Sequence, residues 1–204
     1  ILDLHFDNHF WLEHLPARYS EKMSISLDAA KDKLKADYLS VVGTIKWYCL
    51  DYWAEQTQMP ITELKREIQH LIQLRADARD FLIALKASGR NVVLVTNAHP
   101  ESLSLKIERT QLDQYFDVLY STHDFGVTKE SQLLWQRLQE KHGFDCDSTL
   151  FIDDSIEILQ SAQQYGIKHL LAVANPDSKK TANIITDFPA ITDFDLLTAQ
   201  LNNK

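Results

Sequence analysis

A chain of 204 residues with 45% hydrophobic content can bury a sizeable core, as one domain or one domain carrying an insert. Its formal charge of −8 argues against a nucleic-acid surface and against a polybasic membrane anchor, since both need clustered Lys and Arg; a small anionic ligand remains open. The two cysteines, Cys49 and Cys146, resemble neither a disulfide framework nor a zinc site. No apolar stretch approaches the roughly 20 residues that span a bilayer, and no signal-peptide pattern opens the chain, so a reducing cytoplasm is the expected location.

In chain order, the segment from about Asn8 to Gln73 has no strand-like run, and its apolar residues recur at helical spacing. "YLSVVGTIKWYCLDYWAEQ" carries Leu39, Val42, Ile45 and Cys49 on one stripe, with Tyr48, Tyr52 and Trp53 beside it. "PITELKREIQHLIQL" places Pro60 in a first turn and continues through Leu64, Ile68 and Leu71. This segment is expected to be all helix.

From Ala76 the pattern alternates. "DARDFLIALKASG" reads as a helix closed by Gly89, and "NVVLVT" as a strand. "PESLSLKIERTQL" reads as a helix opened by Asn97 or Pro100, although Leu103, Leu105 and Ile107 alternate as in a strand. "FDVLYS" is the next strand, "ESQLLWQRLQEKHG" a helix stopped by Gly143, and "STLFID" a strand. "SIEILQSAQQYG" is a helix ending at Gly166, and "KHLLAVA" a further strand. Such alternation predicts an α/β class: a Rossmann-like parallel sheet covered on both faces, with ligands beyond the carboxyl ends of the strands. Thr96, Lys129 and Asp153 fall at those ends.

Thr96-Asn97 offers a hydroxyl and a backbone N–H where a strand leads into a helix, which suits either an anion or a simple helix cap. Lys129 precedes a helix, the unfavourable end of the dipole for a cation, and so is expected to face a negative partner. Asp153-Asp154 puts two carboxylates side by side where "TLFID" runs out, an arrangement that is costly without a compensating cation or donor. Capping by Asp154 or Ser155 is the plainer alternative.

These residues, in this order, resemble the haloacid dehalogenase superfamily of phosphohydrolases. "LVTNA" is similar to its second motif, Lys129 to the third-motif lysine, and "LFIDDS" to the acidic fourth motif. "FDNHFW", "WYCLDYW", "TNAHP" and "ANPDS" resemble more narrowly the bacterial nucleotidases that act on GMP and IMP. The resemblance implies a core formed by residues 1–7 and 74–204, with a helical cap at 8–73 inserted into it. It further implies Mg²⁺ as the cofactor, held by Asp153 and Asp154. Thr96 and the N–H of Asn97 would grip phosphate oxygens, and Lys129 would neutralise the attacking carboxylate and the phosphoryl group. The substrate would be a small phosphate ester, specifically a purine nucleoside monophosphate. Neither nucleic acid nor membrane is an expected partner, and a monomer is compatible with the sequence.

The family's Asp-x-Asp-Gly-Thr motif, which carries the nucleophile and the acid-base residue, has no match. Asp3 is followed by Leu4 and His5, so the resemblance places the nucleophile upstream of Ile1 and implies that residues 1–204 alone are inactive. The other readings are a phosphatase for a different ester such as a sugar phosphate, a metal-independent haloacid dehalogenase, and a non-catalytic phospholigand-binding protein. The acidic pair speaks against the dehalogenase. Trp47, Tyr48, Tyr52 and Trp53 could stack a purine or form the core of the helical segment. His5, Asp7 and Asn8 line the site or shape a hinge, and His99 makes a structural hydrogen bond or a substrate contact. Asp177 is a turn residue, and His9, His14 and His123 lack metal-ligand spacing.

Overall fold

The structure, a computed structural model, describes residues 1–203. Its first third is helical. Helix α1 (His5–His9), a π-helical turn at Phe10–His14 and α2 (Leu15–Met23) follow one another without a break. Helix α3 (Leu27–Val41) starts after Ser26, whose Oγ accepts from the Ala29 N–H at 3.2 Å. Short helices α4 (Ile45–Tyr48), α5 (Leu50–Thr57) and α6 (Ile61–Glu67) complete the region.

The stripe expected through Leu39, Val42, Ile45 and Cys49 is not the buried one. Leu39 and Val42 are exposed, and the chain leaves the helix at Val42 and Gly43. The buried face of α3 is instead Ala30, Leu34, Tyr38 and Val41, spaced four, four and three residues apart. Cys49 is extended (φ −84°, ψ 113°) and separates α4 from α5.

A single apolar cluster fills the helical region, built on Phe6, Phe10, Leu15, Leu34, Trp53, Ile61 and Leu64. Trp53, at 1% exposure, donates its Nε1–H to the Trp47 carbonyl at 2.9 Å, and Tyr38 Oη donates to the Trp11 carbonyl at 3.0 Å. Their rings meet edge to face, with Tyr38 and Trp53 centroids 5.0 Å apart, so the aromatics form a core rather than a slot for a base. Leu105 joins this cluster from the α/β region.

That region alternates as expected: α7 (Ala78–Ala87), β1 (Val93–Thr96), α8 (Pro100–Thr110), β2 (Val118–Ser121), α9 (Gln132–His142), β3 (Leu150–Asp153), α10 (Ile156–Tyr165) and β4 (His169–Val173). The strand-like alternation of Leu103 and Leu105 lies in a helix, started by Pro100 at its first turn. Gly143 (φ 74°) and Gly166 (φ 115°) close α9 and α10 in the left-handed conformation that other residues avoid. Two further elements, β5 (Ala190–Ile191) and α11 (Asp195–Asn202), had no clear sequence signal. Phe194, immediately before α11, is fully buried and stacks on Phe81 with centroids 4.5 Å apart.

All pairings in the sheets are parallel, and the strands form two groups, β1 with β2 and β3 with β4 and β5. Among the described residues no ladder joins β1 to β3, so each has an edge without a strand partner. Between and around them pack Tyr120, Leu134, Trp135, Leu138, Ile158 and Ala162. The architecture is a Rossmann-like parallel core with a helical cap. No helix among the described residues is long and apolar enough to cross a membrane.

Candidate active site

Three strand-end segments converge. At the end of β1, Thr96 Oγ1 accepts from the Ala98 N–H at 3.1 Å, which turns the chain and leaves the hydroxyl hydrogen free to donate. Asn97 is buried and does not cap α8; His99 does, through Nδ1 accepting from the Glu101 N–H at 3.4 Å. The Asn97 side chain reaches across to the next segment instead. Its Oδ1 accepts from the Lys129 N–H at 2.9 Å, and its Nδ2 donates to Glu130 Oε2 at 3.1 Å. That pair of bonds fixes where Lys129 leaves the backbone.

Lys129 Nζ lies 2.5 Å from Asp153 Oδ2, with both side chains nearly buried. Burial alone would lower the lysine pKa, but Asp153, then Asp154 and Glu130, outweigh it and hold the ammonium above the ordinary lysine value. Asp153, the last residue of β3, also accepts from the Ser155 N–H at 3.0 Å. Ser155, rather than Asp154, caps α10 through the Ile158 N–H. Asp154 is therefore left over from helix capping. Its outer edge meets solvent, yet the surrounding protein and the Asp153 charge push its pKa up, against the pull of Lys129.

A like-charge pair whose second member resists ionisation is a site that a cation would relieve. Oxygen donors at a strand end suit a hard ion such as Mg²⁺. One lysine already compensates Asp153, so the unmet negative charge sits on Asp154. It lines a cleft of about 560 Å³ together with Leu4, Asn8, Pro176, Asp177 and Lys180.

Asp3 and Asp7 are both engaged elsewhere. Asp3 accepts from the N–H groups of His5 and Ser178 at 3.0 Å each and from Gln73 Nε2 at 3.1 Å, which holds its pKa below the usual carboxylate value despite burial. Asp7 pairs with Lys106 at 2.6 Å and Lys65 at 3.1 Å. Asp177 is more than a turn residue: buried at 3% exposure, it accepts from Asn8 Nδ2 at 2.7 Å and so ties α1 to the "NPDS" loop. His5 approaches the same carboxylate at 3.7 Å, and His14 pairs with Glu67 at 2.9 Å.

Two contacts had no sequence signal. Tyr48 Oη, from the end of α4, donates to Glu130 Oε1 at 3.0 Å, joining the cap to the Asn97–Lys129 network. Burial, followed by the Glu130 charge, raises the Tyr48 pKa far above the ordinary phenol. His123 was set aside on spacing, yet its ring meets that of His99 edge to face at 4.9 Å. Burial, then His99, lowers the His123 pKa.

The sequence profile of haloacid dehalogenase-like hydrolases matches residues 28–172. The chain belongs to that family. It is 43% identical over 194 residues to GMP/IMP nucleotidase YrfG of Escherichia coli (strain K12), covering 95% of this chain and 87% of that protein. This likeness places it among the family's phosphohydrolases. A HAD phosphatase from Thermococcus onnurineus shares the fold with a TM-score of 0.80 at 20% identity, covering 100% of this chain and 94% of that one. HAD-hydrolase YfnB from Bacillus subtilis, solved bound to magnesium, superposes with a TM-score of 0.64 at 20% identity over 97% of this chain and 92% of its own. The recognition and the fold expected from the motifs stand.

Proposed function

We propose that the protein is a Mg²⁺-dependent phosphomonoester hydrolase of the cytoplasm that acts on purine nucleoside 5′-monophosphates such as GMP and IMP. The observation that carries this reading is the Lys129–Asp153 pair at 2.5 Å, held in register by Asn97 at the adjoining strand end. Its support for the substrate is the 43% identity with GMP/IMP nucleotidase YrfG. Asp153 and Asp154 would hold the metal, which when bound supplies positive charge to the phosphoryl oxygens.

The chain's own groups do the rest. Thr96, with its hydroxyl hydrogen free, and the Asn97 N–H bind phosphate oxygens. Lys129 keeps its proton and stabilises charge that grows on those oxygens in the transition state. The attacking carboxylate is neither Asp3 nor Asp7, since both are occupied by donors. In this reading it comes from a strand upstream of Ile1, paired between the open edges of β1 and β3, and the phosphoryl group passes through an aspartyl phosphate. Residues 1–7 and 74–204 act as the core, and residues 8–73 as the cap over it.

The test is a panel of phosphate esters assayed with the gene's full product and Mg²⁺. GMP and IMP are expected to give the highest kcat/KM. Faster hydrolysis of sugar phosphates would remove the nucleotidase assignment, and metal-independent halide release would replace it with a dehalogenase.

A further inference from the structure

Beside the oxygen-rich site, a second cluster has a different chemistry. Cys49, His99 and His123 each offer one ligand atom, and all three atoms lie within 4.8 Å of one another. They come from three separate segments: the extended residue between α4 and α5, the residue before α8, and the turn after β2. His99 is buried, with Asp51 Oδ2 3.5 Å from its Nε2 and the Glu101 N–H 3.4 Å from its Nδ1; ligation through Nε2 moves the ring proton to Nδ1 and gives up that long capping bond.

The decisive atom is His123 Nε2. It is buried and has no hydrogen-bond partner. In the tautomer that leaves Nε2 unprotonated, this atom is a bare buried lone pair of the kind that a metal ion takes up. Left alone, a buried unpaired nitrogen is a desolvated group with nothing to offset its lost water.

We infer that Cys49, His99 and His123 form a binding site for a borderline-soft divalent cation, Zn²⁺ in particular, that bridges the cap and the core. One thiol sulfur and two imidazole nitrogens suit Zn²⁺ and do not suit Mg²⁺, so this site is chemically distinct from Asp153-Asp154. Binding displaces the Cys49 thiol proton to solvent and forms a sulfur–zinc bond, with no change of oxidation state. The fourth position is filled by water or, after a side-chain rotation, by Asp51.

Because Cys49 belongs to the cap and both histidines to the strand ends, the bound ion pins these parts together beside the Tyr48–Glu130 contact. A pinned cap would slow any turnover that needs it to open. Zinc binding stands independently of the nucleotidase reading; only its effect on turnover rests on that reading.

The experiment strips the full-length protein with a chelator, saturates it with Mg²⁺, and titrates Zn²⁺ against a chromogenic competitor. One Zn²⁺ per chain is expected, with affinity at least tenfold weaker in Cys49→Ser and in His123→Gln and unchanged in Asp153→Asn. Co²⁺ should give a thiolate-to-metal charge-transfer band that Cys49→Ser abolishes. Metal-free circular dichroism checks folding of each variant, and Cys49→Ser suffices if His123→Gln does not fold. Failure to retain Zn²⁺, or full affinity in folded Cys49→Ser, overturns the site. In a separate arm, Zn²⁺ should inhibit GMP hydrolysis by the parent and spare Cys49→Ser; equal inhibition of both would remove the pinning role.

Discussion

Lys65 and Lys129 both hold their ammonium groups largely out of solvent, and their surroundings give those charges opposite fates. Lys65, on α6 at 1% exposure, lies 4.7 Å from the ring of Phe6 and 4.5 Å from that of Phe10, and shares Asp7 with Lys106. Burial lowers its pKa; Asp7 opposes the shift, and Lys106 adds to it. Lys129 pays a desolvation cost as well, but Asp153, Asp154 and Glu130 reverse the sign. The first is an ion pair that holds packing together, with one carboxylate for two ammoniums. The second has more negative charge than one lysine can balance. An excess of that sign is what a site for a cation and a phosphoryl group requires, and the structural pair has none to spare.

The comparison breaks most visibly at Asp7. Asp7→Ala leaves Lys65 and Lys106 without their carboxylate, and a stranded buried charge costs about 3–5 kcal/mol. Urea unfolding should show that loss; a change below about 1 kcal/mol would mean that the aromatic rings alone stabilise Lys65. The Asp7 pKa is lowered by Lys106 and Lys65 against its burial, so its contribution is present above the unfolded carboxylate pKa of about 4 and is lost as pH falls toward the folded value. The parent's acid-side destabilisation should therefore shrink in Asp7→Asn.

Lys129→Ala acts on function instead. It should lower kcat by roughly tenfold or more in the gene's full product, because it removes a charge aimed at the reacting centre. Nearly normal turnover with GMP would reduce Lys129 to a structural partner of Asp153.

Alkaline titration sharpens the contrast further. The raised Lys129 pKa gives stability that is full below the unfolded lysine value of about 10.4 and disappears as pH rises through the folded value. The lowered Lys65 pKa has the opposite sign, since the unfolded chain then binds more protons and stability recovers as pH climbs toward that value. Unfolding curves at several alkaline pH values should show Lys129→Met losing a downward slope and Lys65→Met losing an upward one. The same change of slope in both would dissolve the distinction.

The smallest effect belongs to Asp154. Its raised pKa means that the charged form is disfavoured in the fold, a cost present above the folded pKa and relieved as pH falls. Asp154→Asn removes it and should raise the metal-free melting temperature slightly, since solvent at the exposed edge screens most of that cost. The same variant should lose its melting shift with Mg²⁺. A stabilised variant that still responds fully to Mg²⁺ would take Asp154 out of the metal site.

What the sequence disclosed follows from periodicity. The runs "VLVT", "VLYS", "LFID" and "HLLAV" are all strands; α9 and α10 stop at Gly143 and Gly166, while α8 ends at Gln111 in the same left-handed conformation. The ambiguous Leu103 and Leu105 were settled by neighbours: Leu105 joins the cap cluster, a tertiary contact that alternation cannot express. Leu39 and Val42 misled because a helical stripe was carried past Val41, where the chain turns out of the helix. Strand β5 has two residues, too few for any pattern, and is placed by pairing with β4. In the site, Lys129 and Asp153 were legible from motif order. The bonds from Asn97 to Lys129 and from Tyr48 to Glu130 were not, because they link residues 32 and 82 positions apart. Cys49, His99 and His123 were missed for the same reason: spacing identifies ligands on one element, and these lie on three.

In the proposed function, Thr96, Asn97, Lys129, Asp153 and Asp154 form a phosphotransfer site whose attacking carboxylate enters on a strand ahead of Ile1. The direct measurement is phosphate release from GMP with Mg²⁺, comparing residues 1–204 with the product read from the gene's own initiation codon. Hydrolysis by the longer chain, and none above background by residues 1–204, is the expected result. Comparable hydrolysis by both would contradict it and return Asp3 and Asp7 to consideration as the nucleophile.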